Sequence, residues 1–424
     1  MFMENHEIMT SAMQKYYSAL KSLDDFGWSG NFFDDVSNLD KFFSEFRNIT
    51  FVIQKALKTE ENKKIYKELR DKLLLGDTLK WFINSRNKTT KEKPFELRKE
   101  LVIDMYLPFG LYTLKDPCLV VNMDSSFGNA LDYIRSEFIE KIGLVEVFFT
   151  SRIVFYEADE TFDLYPKIKD GILQMSKFLE KMKECFFCDC EICHSLNEQI
   201  KVLFRNVLCK ELNFTNDYTM ELRKEIVKGE KGEMYFSAGN SQCIPISELK
   251  ASLDNPLFKD AKGSLCNLFF RFVSMHTAIF QMQEHDIMPV FMLVYSNQTY
   301  RMIPFISTTK ATSYRKVIEI ISMPDFDKVS AVFYCGAFYA YDMGQLSDIS
   351  NKPYSERINV AKEEILSFIL IAKEGEMAVT LDESRVDDME YVSEQTKEAT
   401  WDKTGSSVSH GWLNPIRQRI KSVQ

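Results

Sequence analysis

The chain has 424 residues, 45% of them hydrophobic and 27% charged, with a formal net charge of −9. That balance excludes a wholly disordered, collagen-like or mucin-like chain, and the net charge argues against a surface built throughout for nucleic acid. At about 150 residues per domain the length points to two or three domains, and only 16 Gly and 11 Pro favour long uninterrupted helices.

Residues 8–23 carry apolar side chains at Met9, Met13, Tyr16, Tyr17, Leu20 and Leu23, a spacing near 3.6 that predicts a first helix. Asp34, Asp35 or Ser37 is placed to cap a second, running through Phe42, Phe43, Phe46, Ile49, Ile53 and Leu57. A charged third helix follows over 61–75, and a fourth around Leu79, Trp81 and Phe82 runs into the polar stretch 84–93. Four helices with short links make a bundle. After Pro94 the period changes: Leu101, Ile103 and Met105 alternate with Val102, Asp104 and Tyr106, and 118–121 is a further apolar run, so strands or an extended connector follow. Helical patterns resume at 129–142, 168–183, 195–212 and 218–227, and Gly229 with Gly232 marks a loop. A long apolar helix is expected over 265–282. Next comes a hairpin of 289–295 and 300–306 around Ser296-Asn-Gln-Thr299, then a helix over 314–321. Strands are expected at 329–341, 357–360 and 366–372. Pro415 is placed to start a short helix carrying Arg417, Arg419 and Lys421. The expected class is α+β, predominantly helical, in four blocks. These are a helical bundle over 1–110, a mostly helical region over 111–254, a small α+β domain over 255–382, and an acidic segment with a basic, flexible tail over 383–424.

Charge is unevenly spread. Between Lys41 and Glu100 Lys and Arg exceed Asp and Glu by 7; from Glu374 to Asp402 acidic residues lead by 8; 403–424 is purely basic. Each run reads first as a solvated helix face or tail, and the basic runs leave room for a local anionic partner. Residues 1–22 lack the pattern of a secretory leader, and the apolar stretches 265–279 and 288–295 are too short or too interrupted to cross a membrane. Nine cysteines without regular spacing fit the reducing cytosol, so the expected location is cytoplasmic, with no membrane partner.

Two Arg-Asn dipeptides stand on neighbouring predicted helices: Phe46-Arg47-Asn48, followed by Phe51-Val-Ile-Gln54, and Trp81-Phe82 leading to Arg86-Asn87. Over residues 5–110 this segment resembles the HEPN superfamily of helical bundles, found in bacterial toxins, antiphage systems and CRISPR-associated ribonucleases. The resemblance implies an R-x4–6-H motif, often beginning Arg-Asn, at the end of the third long helix. There a cation would hold the scissile phosphate and a histidine move protons during attack by a ribose 2′-OH, without a metal. Arg86 and Asn87 match the first half. The positions for histidine hold Lys91, Glu92 and Lys93, and lysine is a poor proton shuttle near neutrality. The expectation is thus a non-catalytic or weakly catalytic HEPN-like protein that binds RNA or a protein partner in a bacterial defence or toxin-antitoxin-like process, with Arg86, Lys88, Lys91 and Lys93 on the phosphates. A metal-independent endoribonuclease using Arg86 and a structural, oligomerising protein without a nucleic-acid ligand remain alternatives. So does a reading in which Arg47 and Arg86 only bond helix ends.

Cys185, Cys188, Cys190, Cys193 and His194 place five zinc-type ligands within ten residues. On one continuous helix they diverge, so a structural zinc requires a break near 188–190; otherwise the cysteines are small buried hydrophobes or redox sensors. Ser355, in Pro353-Tyr-Ser355-Glu356-Arg357, has no nucleophile-elbow context, and Cys335 has no histidine nearby, so a loop ion pair is the expected role of that segment. This end of the chain also looks like a small α/β domain that recurs at the ends of uncharacterised bacterial proteins, with no activity attached. The common phosphate-loop, dinucleotide, zinc-protease and calcium-loop motifs are missing from the chain.

Overall fold

A computed structural model describes residues 2–27, 31–108, 110–118, 123–157, 160–186, 190–210, 214–221, 227–228, 244–245, 265–283, 287–307, 309–342, 344, 349–403 and 410–422. The protein is mixed α and β and divides into two compact units. One comprises Met1–Ile103, Thr113–Leu131 and Ser151–Thr215; the other comprises Asp104–Tyr112, Asp132–Thr150 and Asn216–Gln424. The units interleave along the chain, whereas the sequence suggests consecutive blocks.

The first unit begins with four helices, α1 (Phe2–Asp25), α2 (Phe32–Ala56), α3 (Glu60–Leu73) and α4 (Asp77–Lys91). Asn31 caps α2 by accepting the Phe33 N–H at 2.9 Å, and Thr59 caps α3 by accepting that of Asn62 at 3.1 Å. The expected cap Asp35 lies instead on the buried face of α2. After α4 come β1 (Leu97–Leu107), β2 (Gly110–Cys118), α5 (Met123–Ile134) with a π-helical extension over Arg135–Lys141, β3 (Glu146–Glu157), α6 (Leu164–Cys185) and α7 (Glu191–Cys209). The strands β4 (Thr215–Glu221) and β5 (Val227–Lys228) follow; apart from Thr215 they belong to the second unit, as do residues 104–112 and 132–150, and the sheet order is β2-β1-β3-β4-β5.

The first four helices do not complete a core among themselves. α1 packs on α2 and α7, α2 on α4, and both α3 and α4 on α6. The reason is in the burial. α3 buries only Tyr66, while α6 buries nine residues, including Ile168, Ile172, Met175, Phe178 and Met182. A cluster of rings from Phe42, Phe43, Phe46 and Phe82 forms the centre, with the Phe46 and Phe82 centroids 4.7 Å apart.

One corner of this unit is polar. The fully buried Asp35 carboxylate accepts the Gly27 N–H and pairs with Lys99, itself 7% exposed. Gly27 turns the chain between α1 and α2 with φ +78°, and a Cβ there would strike the Phe214 ring, so only glycine suits the turn. Lys210 is buried beside it and donates to the carbonyls of Leu23 and Asp24 at the end of α1. Burial pulls the Lys210 pKa from the usual lysine range down to about 7, against the opposing pull of Asp24, Asp25 and Asp35. Below pH 7 the ammonium is charged in folded and unfolded chains alike. Between pH 7 and the unfolded value the folded state binds fewer protons, so stability rises with pH through that window. Urea melts of wild type and Lys210→Met across pH 6–10 check this: the stability difference between them is expected to be flat below 7 and to move in favour of wild type above it.

The second unit is built on α8 (Leu265–Met282), β7 (Val290–Tyr295), β8 (Thr299–Pro304), α9 (Lys310–Ile321), β9 (Val329–Ala340), β10 (Glu363–Ala372) and β11 (Gly375–Asp382), preceded by the two-residue strand β6 (Ile244–Pro245). The sheet is antiparallel throughout, in the order β11-β10-β9-β7-β8-β6, with Cys335 of β9 opposite Phe368 of β10 and Val290 of β7. Its central strand β7 and the middles of β9 and β10 read as continuous apolar runs because both faces are covered there. Phe269 and Phe272 of α8 pack with Met292, Phe333 and Phe368 on one face. Val317 and Ile320 of α9 pack with Leu293, Val332 and Ile371 on the other. The hairpin β7–β8 lies where the polar turn predicts it, with Gln298 at φ 62°.

Two segments depart from the sequence analysis. Residues 215–221 form β4 where the pattern over 218–227 predicts a helix, and Tyr218 stacks on Phe149 with centroids 5.0 Å apart, so contacts with remote segments outweigh local pattern. Tyr354–Arg357 with Ile358–Val360 forms helical turns where a strand is expected over 357–360. β3 runs through a stretch with no clean period, for which the sequence predicts no element. The acidic segment and basic tail are described over 383–403 and 410–422. They contain α10 (Met389–Glu398) and α11 (Asn414–Ser422), the latter burying Ile416 and Ile420 while the Arg417 Nε donates to both Glu376 oxygens at 2.9 and 3.0 Å. Residues 229–232 and 222–226 lie outside the described residues. Among the described residues no helix is long and apolar enough to cross a membrane.

Candidate nucleic-acid interface

The basic end of α4 is where the sequence places phosphate contacts. The helix starts at Gly76 without a side-chain cap and anchors itself through Leu79 and Phe82, both buried. Lys88 and Lys91 stand in the last turn, where cations complement the helix dipole. Both are exposed, and at 3.6 residues per turn they lie about 60° apart, on one stripe. Arg86 is set about 160° from Lys88 around the helix, half-buried, with Nη1 3.3 Å from the Asn87 Oδ1 it donates to. The structure therefore brings Lys88 and Lys91 together and separates Arg86 from them.

Two of the cations have carboxylate neighbours. Lys88 Nζ stands 3.8 Å from Glu157, which also accepts the Trp81 indole N–H at 2.5 Å, and Lys93 Nζ stands 2.6 Å from Glu96. Glu157 lies on β3, and its arrival at α4 has no signal in the local sequence. The Lys93–Glu96 pair is exposed on both sides and contributes about 0–1 kcal/mol. Glu157 is only 15% exposed and is held by Trp81, so it tempers the positive charge at Lys88.

The cysteine group is divided. α6 ends at Cys185, which is exposed, and α7 begins at Glu191, so the helix does break in the interval that zinc would require. Cys190 caps α7, its Sγ 3.4 Å from the Cys193 amide, and the buried Cys193 Sγ lies 3.1 Å from the Thr10 hydroxyl. His194 is exposed on α7, and Cys188 lies outside the described residues. Among the described residues no three His, Cys, Asp or Glu side chains are grouped to hold a metal ion.

In the second unit Ser355 Oγ donates to Glu221 Oε1 at 2.8 Å, and Arg357 stands 3.5 Å from Glu146 as the expected ion pair. The Cys335 thiol is fully buried on β9, and burial pushes its pKa up, the opposite of what a nucleophilic thiolate needs. No family model matches the chain, and neither a curated protein nor a solved structure does.

Proposed function

We propose that the helical unit is a non-catalytic, HEPN-like binder of RNA that serves a bacterial defence or toxin-antitoxin-like process. The observation that supports this most directly is the exposed Lys88–Lys91 stripe at the end of α4, followed by Lys93 and set in a segment with seven excess positive charges between Lys41 and Glu100. Phosphates at these lysines release condensed counterions. Catalysis has no support on α4, because Lys91, Glu92 and Lys93 stand where the motif's histidine would be.

Fluorescence anisotropy with a labelled single-stranded RNA tests the proposal. Binding is expected to weaken as salt rises, and Lys88→Ala/Lys91→Ala to reduce the slope of log K against log salt by about 1.4, two contacts at about 0.7 each. Arg86→Ala is expected to do less, and the RNA to stay intact in excess chelator. Binding that ignores salt or the double substitution overturns the reading.

A further inference from the structure

A second feature of the helical unit is independent of the lysine stripe. Between α2, α3, α4 and α6 lies a pocket of about 220 Å³, below the roughly 300–1,000 Å³ of pockets that hold drug-sized molecules. The volume suits a small organic molecule.

The lining holds two kinds of side chain. Phe46, Leu79, Phe82 and Met175, all buried, supply a hydrocarbon surface. Arg47, Gln54, Tyr66 and Arg70 supply polar groups to the same pocket. Gln54 donates its amide to the Tyr66 hydroxyl at 2.8 Å, which fixes the ring as a wall. Arg70 is neutralised by Asp71, to which its Nε and Nη2 donate at 2.9 and 2.6 Å.

Arg47 is different. Its Nη1 donates to the Thr50 hydroxyl at 2.6 Å, and no carboxylate of the described residues lies within ion-pair distance. The adjacent Glu45 is taken by Lys15 at 3.0 Å. A guanidinium carries five N–H donors and is never deprotonated in a protein. A permanent charge that lines a largely hydrocarbon cavity with a neutral hydroxyl as its partner keeps donors for an anion, whereas the equally half-buried Arg70 of the same lining already has its carboxylate. The helix spacing makes the arrangement deliberate in sequence terms. Phe46, Arg47, Thr50 and Gln54 form one stripe of α2, Tyr66 and Arg70 one stripe of α3, and Leu79, Phe82 and Ile83 one stripe of α4.

We propose that this pocket binds an amphipathic organic carboxylate, its head paired with Arg47 and its hydrocarbon body laid against Phe46, Leu79, Phe82 and Met175. The planar guanidinium fork matches a carboxylate bidentately. The partial enclosure strengthens that bond relative to one in open water. A neutral alcohol of the same length would cover the hydrocarbon surface equally well and leave the guanidinium without its anion.

The probe is 8-anilinonaphthalene-1-sulfonate, an anion on an aromatic body, followed by fluorescence with the full-length protein in the absence of RNA. Saturable enhancement is expected, reversed by decanoate at concentrations at least tenfold lower than by decanol. Arg47→Gln is expected to abolish that preference and weaken the probe about tenfold or more, while Arg47→Lys keeps the preference for the anion at lower affinity, its charge being retained and the bidentate fork lost. Ile83→Trp, at the 42% exposed rim of the pocket, is expected to block probe and decanoate alike. Circular dichroism confirms that each variant is folded. Equal displacement by decanoate and decanol, or probe binding unchanged in folded Arg47→Gln, overturns the proposal.

Discussion

Asp35→Asn is expected to lower the free energy of unfolding by about 3–5 kcal/mol, the cost of breaking a buried ion pair from one side. Asp35 is fully buried, and its partner Lys99 has a side chain only 8% exposed, so neither charge has water to fall back on. The asparagine retains the size of the side chain and can still accept the Gly27 N–H, which leaves the uncompensated Lys99 ammonium as the main loss. Urea unfolding followed by circular dichroism measures the change. Asp35→Leu combined with Lys99→Met is expected to recover much of it, because two apolar groups replace two desolvated charges. A loss below about 1 kcal/mol in Asp35→Asn would mean that water reaches the pair.

Phe82→Ala is expected to cost about 3–5 kcal/mol through the cavity it leaves in the aromatic cluster. Its ring lies 5.5 Å from Phe42, 5.6 Å from Phe43 and 4.7 Å from Phe46, centroid to centroid, and it is 2% exposed. The ring also covers Gly171 of α6 so closely that a Cβ at that glycine would overlap it. Gly171→Ala should therefore destabilise the wild type by about 1–3 kcal/mol through overpacking and cost much less in the Phe82→Ala background. The four proteins form a double-mutant cycle in urea. Equal effects of Gly171→Ala in both backgrounds would show that the ring does not set the α4–α6 separation.

Much of the fold is legible without the structure, and the reason is local. The helix spans of α1 to α4 and of α8 follow from apolar spacing within a few turns, and the β7–β8 hairpin from two apolar runs around a polar turn. The candidate interface is legible to the same degree. Lys88, Lys91 and Lys93 are plain in the sequence, whereas Glu157 and Glu96 beside them, and the half-turn that separates Arg86, are not. Arg47 is visible as an Arg-Asn dipeptide, but only its surroundings reveal a guanidinium without a carboxylate that lines one pocket with buried hydrocarbon.

The sequence by itself determined the class of the protein, its helix-rich first part, the hairpin, and the placement of charge in a basic early segment and an acidic late one. Tertiary structure alone decided that α3 rests on α6, that residues 215–221 extend into a strand beside Phe149, that Asp35 is a buried counter-ion rather than a cap, and that the basic tail docks through Ile416 and Ile420. Periodicity reports what neighbouring turns can bury together. Which remote surface receives that face, and which charge meets it there, depends on contacts dozens to hundreds of residues away, whose energies no local window contains.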